Sequence, residues 1–133
     1  MLIKDSKGKY ELTVDMERCI VYEKNVGLWN NEDVLRLHNE YVTKIVPLIK
    51  GREWFKCSDL REYAVSDITE EITNHVTWCV ENNLFGAIII VKNQAVAVEM
   101  QMNLCVLYSG MIYSPIVFSN LEEAEKWFNS HWI

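Results

Sequence analysis

The chain has 133 residues, half of them hydrophobic and 24% charged, which is the size and composition of one globular domain and not of a disordered or fibrous chain. Its net charge of −6, with Lys and Arg scattered among acids, argues against nucleic acid and against an anionic membrane surface. The opening MLIKDSKGKYE lacks the apolar core of a signal peptide, and no stretch approaches the ~18 apolar residues of a membrane span, so a cytoplasmic protein is expected.

In chain order, Tyr10–Asp15 alternates apolar and polar residues and predicts a strand, with Tyr10, Leu12 and Val14 on one side. Cys19–Lys24 predicts a second strand, antiparallel to the first because only Met16-Glu17-Arg18 connects them. Asn30 or Asn31 then caps a helix with Glu32 and Asp33 in its first turn. Its stripe is Val34, Leu37, Tyr41, Ile45 and Leu48; Pro47 should kink or tighten it, and Lys50-Gly51 should stop it. Glu53–Leu60 predicts a third strand. Asp67-Ile-Thr-Glu70 opens a helix with a capping-box pattern, and Ile68, Ile72, Val76, Cys79 and Val80 form its buried stripe. Gly86–Lys92 is apolar on both faces, as a central strand covered on both sides should be. Gln94–Ser109 predicts a third helix and Tyr113–Phe118 a last strand. Ser119-Asn-Leu-Glu122 reads as a capping box for a final helix lined by Leu121, Ala124, Trp127 and Phe128, with Trp132 just beyond.

The order ββαβαβαβα predicts an α/β fold: one domain over 1–133 with a five-stranded, mostly parallel sheet and one antiparallel edge strand. Cys19, Cys57, Cys79 and Cys105 each lie in an apolar run without a CxxC spacing and read as small buried hydrophobes. His38, His75 and His131 sit on three different helices without metal-ligand spacing, so they read as partly exposed helix residues, and no metal or cofactor is expected.

Three segments resemble the SpoIIAA-like, or STAS-like, family. They are Cys57-Ser58-Asp59-Leu60-Arg61 before a capped helix, the apolar strand after Asn83-Leu84-Phe85-Gly86, and Val117-Phe118-Ser119-Asn120 leading to Glu123-Ala124-Glu125-Lys126-Trp127-Phe128. The last is similar to the close of bacterial SpoIIAA-like proteins of unassigned function. The resemblance spans about Tyr10 to Trp127. It implies a domain without catalysis, in which antagonists of anti-sigma factors bind a partner kinase and are switched by phosphorylation of a serine in a D-S-S/T-G-L motif. Ala64-Val65-Ser66-Asp67-Ile68 occupies that place, without the glycine and with Ser and Asp in the opposite order. Ser66 is the regulatory candidate that the resemblance supplies. Related STAS-like and SEC14-like domains are linked to apolar or lipid ligands.

Ligands of an open parallel sheet gather at the carboxyl ends of its strands. Asn25, Asp59, Arg61, Lys92, Asn93, Ser119 and Asn120 fall there. Asp59 and Arg61 form either the centre of a small polar site, the basis of an enzymatic reading, or an ion pair that orders a loop. The third helix is apolar nearly all round, more than one packing face requires. Val98, Met100, Met102, Cys105 and Val106 are its interface candidates. Three partners could cover it: the terminal aromatics Trp127, Phe128 and Trp132, a homodimer or protein partner, or an apolar ligand. The expectation is a non-catalytic regulatory or protein-interaction domain; the alternative is a carrier or sensor of a small apolar or lipid-like molecule.

Overall fold

The computed structural model describes residues 1–49, 51–93 and 95–132. Alternation builds β2 (Tyr10–Asp15) and β3 (Ile20–Leu28), which pair antiparallel across the expected short turn. From β3 onward, β4 (Trp54–Ala64), β5 (Leu84–Ile90) and β6 (Ile116–Phe118) add in parallel. A further strand, β1 (Leu2–Lys4), lies antiparallel outside β2. The sheet therefore has six strands in the order β1-β2-β3-β4-β5-β6, and Tyr10–Asp15 is not its edge. Three residues are too few for periodicity to show, so β1 owes its identity to the partner it finds in β2. No described helix is long and apolar enough to cross a membrane.

The helices fall on two sides. Residues of α1 (Asn31–Glu40), α3 (Thr69–Glu81) and α4 (Val96–Leu107) share one core with Leu12, Val21 and Ile89. On the opposite side, α5 (Leu121–His131) places Ala124 and Phe128 against Ile20, Phe55, Cys57, Ile88 and Ile90. The double-faced apolar run of β5 thus reflects cover on both sides. Ties from β3 and the turn before it help seat α5: Arg18 pairs with Glu125 at 3.0 Å, Tyr22 hydrogen-bonds Glu125, and the Trp132 indole donates to the Arg18 carbonyl at 2.8 Å.

Side-chain caps settle the starts of α1 and α5 but not those of α3 and α4. Asn30 caps α1, with Asp33 completing a reciprocal capping box. Ahead of Pro47 this helix does not tighten; the chain widens into a π turn at Tyr41–Ile45 before a short α2 (Val46–Ile49). The widened turn, in which the Val46 amide bonds to Tyr41, accommodates a proline that has no N–H to offer. Lys50 lies outside the described residues, and Gly51 takes the left-handed φ of +82° expected beyond a helix end. Helix α3 starts at Thr69 with Ile68 in the cap position and no side-chain cap, so the Asp67 box does not form. Instead, the Ile68 amide turns back onto the Ser66 carbonyl. Asn120, not Ser119, caps α5 by accepting from the Glu123 amide. Gln94, the expected start of the third helix, lies outside the described residues.

Candidate functional site

Side chains alternate across β3 and β4. Ile20, Phe55 and Cys57 therefore face α5, while Val21, Glu23, Asn25, Trp54, Lys56 and Ser58 turn toward α1, α3 and α4. That second face holds a buried polar cluster. Glu23 and Lys56 pair at 3.2 Å, with 3% and 7% of their side chains exposed. The Tyr41 hydroxyl donates to Glu23 at 2.7 Å, and the Asn25 amide nitrogen donates to its other oxygen at 2.8 Å. The Lys56 ammonium lies 4.6 Å from the centre of the Tyr41 ring. Two opposite charges with this many partners meet the condition under which buried ions are tolerated.

The cluster continues through two histidines. Lys56 Nζ is 2.8 Å from His75 Nε2, and His75 Nδ1 is 2.9 Å from His38 Nδ1. An ammonium only donates, so His75 accepts at Nε2, carries its proton on Nδ1 and passes a hydrogen bond to His38. Burial first, and then the Lys56 cation and His38, holds the His75 imidazole well below its ordinary 6.5. Burial and Lys56 lower His38 in the same way. The Cys79 thiol lies 3.6 Å from His75, and burial pushes it up to about 12. Burial and Glu23 raise the Tyr41 phenol, which keeps the proton it donates. His38 and His75 also line an outer cleft with Glu71 and Trp78, so a hydrogen-bonded chain runs from that cleft to Glu23.

His75 departs from the reading of the histidines as partly exposed helix residues: it is 2% exposed and bonded to His38, which is itself partly exposed, while His131 is exposed. The four cysteines are all buried and free. Among the described residues, no group of three or more His, Cys, Asp or Glu is placed to hold a metal.

Beside the cluster lies a cavity of about 50 Å³. Glu23, Asn25, Lys56 and Ser58 form its polar end. Its walls are apolar, among them Ile72, Val76 and Ile89 from α3 and β5, and Met102 and Val106 from α4. On the α5 side of the sheet, an open groove of about 480 Å³ runs between Phe55, Phe85, Tyr113, Trp127, His131 and Trp132. Phe85 and Trp132 stack at 5.3 Å in its wall.

The strand-end candidates disperse. Asp59 and Arg61 make a two-bond ion pair with each other, at 2.9 and 2.8 Å. Lys92 and Asn93 are exposed and share a separate cleft with Glu99, Ser119 and Glu123. Ser66 is 6% exposed. Its hydroxyl accepts from the Trp29 amide at 2.8 Å and donates to the Ala64 carbonyl at 2.7 Å. Nearby, Gln101 of α4 donates to the Ser66 carbonyl and accepts from the Tyr63 hydroxyl, both at 2.7 Å.

Helix α4 is divided by its own period. Val98, Cys105 and Val106 are buried and Met102 packs against the core, so of the five interface candidates Met100 alone faces outward. The outward stripe is Met100, Leu104, Leu107 and Tyr108, continued by Ile112. Trp127, Phe128 and Trp132 do not cover it, because they pack on the far side of the sheet with Phe55. The polar cluster was invisible to motif reasoning, which weighs neighbours in sequence. One signal was present: Glu23 and Lys56 stand two residues from the buried Val21 and Trp54, at positions that alternation turns to the same side. No protein-family model, curated protein or solved structure matches this chain.

Proposed function

We propose that the protein is a non-catalytic interaction domain of the SpoIIAA-like kind, which self-associates through the outer face of α4. The stripe Met100, Leu104, Leu107, Tyr108 and Ile112 carries the reading. Met100, Leu104, Leu107 and Tyr108 follow helical spacing, Ile112 extends them past the helix end, and none of the five is charged. In a chain of net charge −6, a neutral apolar stripe is where two copies meet with least repulsion. A two-fold pairing would set the same patch of each copy against the other. The sequential addition of β3 to β6, each joined to the next through a helical segment, supports the SpoIIAA-like part of the reading.

Light scattering at increasing concentration tests it. The wild type should approach twice the mass of one chain, and Met100→Glu with Leu104→Glu should return it to a monomer. A wild type that stays monomeric at several hundred micromolar overturns the self-association. A second reading, sensing of a small apolar molecule, is favoured by the cavity behind the inner face of α4.

A further inference from the structure

The Asn25 side-chain oxygen is buried and has no hydrogen-bond partner, and among the described residues it is the one buried side-chain polar atom left so. Its orientation follows from chemistry. The amide nitrogen must face Glu23, since a carboxylate accepts and does not donate. The oxygen is therefore the atom without a partner, and Asn25 lines the cavity. An unsatisfied buried acceptor is destabilising, so a donor at this point would be stabilising. Lys56, also in the lining, has three N–H groups, and Glu23 and His75 account for two. Ser58 adds a hydroxyl.

Resting on the sensing reading, we propose that this cavity binds a small neutral molecule with a hydroxyl head and a short apolar body. A hydroxyl gives one proton to Asn25 and accepts one from Lys56 or Ser58. A carboxylate has no proton for Asn25 and meets the charge of Glu23, an ammonium meets Lys56, and an alkane leaves Asn25 unsatisfied. The volume of about 50 Å³ exceeds the ~10–15 Å³ that one water needs and is far below the ~300 Å³ of common ligand pockets. That limits the body to a few carbon atoms. Met102 and Met111 line the cavity, and unbranched, polarisable side chains of this kind adapt to differing short chains.

The test is NMR of the full chain carrying ¹³C-methyl methionine, titrated with 1-butanol and separately with 1-chlorobutane, which has similar size and no proton to give. Met102 and Met111 report the cavity, while the exposed Met16 and Met100 serve as controls. Saturable shifts confined to Met102 and Met111, with butanol bound at least tenfold more tightly than the chloride, are expected. Asn25→Ala, which adds no bulk to the cavity lining, should bring the two affinities together; the wild-type comparison stands alone if this variant does not fold. Equal affinity for both probes overturns the hydroxyl head and leaves apolar sensing standing. No saturable shift with either probe overturns both. Shifts of all the methionines together, without saturation, mark a solvent effect and also overturn the proposal.

Discussion

Strand β4 shows two ways of filling a protein interior within successive residues. Toward α5 it turns Phe55 and Cys57, and the Phe55 ring packs within 5.0 to 5.4 Å of Trp127, Phe128 and Trp132. Toward α3 and α4 it turns Lys56 and Ser58, which join Glu23, Asn25 and His75 beside a cavity. The first face gains from apolar burial and ring geometry and asks little of exact partners. The second face places charges where the dielectric is low, so each group depends on its neighbour. The aromatic face should therefore respond to changes in volume, and the polar face to the loss of single partners and to pH.

The sharpest break of this contrast is Lys56→Met. It leaves Glu23 buried without its cation, and urea unfolding should show a loss of about 3–5 kcal/mol. Removing both charges, with Glu23→Gln added so that an acceptor remains for Tyr41 or Asn25, should recover part of that loss. A double variant no better than the single one would mean that the cost lies in packing and not in the orphaned charge.

On the aromatic face, Gly86→Ala is the corresponding probe. A Cβ there would meet the Phe55 ring at 2.5 Å, so the ring would have to leave its packing with Trp127, Phe128 and Trp132. A loss of about 1–3 kcal/mol is expected, partly restored by Phe55→Leu. An unchanged midpoint would show that the ring moves freely.

The pH test separates the faces without changing volume. His75 and His38 are held below their ordinary 6.5, so the unfolded chain binds protons first as pH falls. The stability they contribute is complete above about 6.5 and is lost as pH drops toward their folded values. The carboxyls of Asp5, Asp15 and Asp59, held below 3.8, act only at lower pH. The melting temperature should thus decline already between pH 6.5 and 5. His75→Gln should flatten that decline, and an unchanged slope would remove the histidine chain from the account.

The smallest effect is expected outside both faces. Arg61→Ala breaks a partly exposed ion pair with Asp59 and should shift stability by less than about 0.5 kcal/mol. A loss above 1 kcal/mol would assign the Asp59–Arg61 pair more than local ordering of the strand end.

Periodicity and capping made the α/β order and the double-faced β5 legible, because both rest on spacing along the chain. The same local rules were less exact at ends: they placed a capping box at Asp67 that does not form, placed the α5 cap one residue early, and missed β1. Glu23 and Lys56 went unread, because alternation assigns a side of the strand and not the groups a side chain will meet there. Their partners come from elsewhere in the chain: Tyr41 and His38 follow β3, and His75 sits on α3. Only the stacking of helices on one side of the sheet brings them together. Tertiary structure likewise decided that the terminal aromatics seal Phe55 instead of α4. Helix α5 follows the last strand and lies on the face opposite α4. The apolar excess of α4 was written in its sequence, whereas the direction of that excess depended on which side of the sheet the chain had already filled.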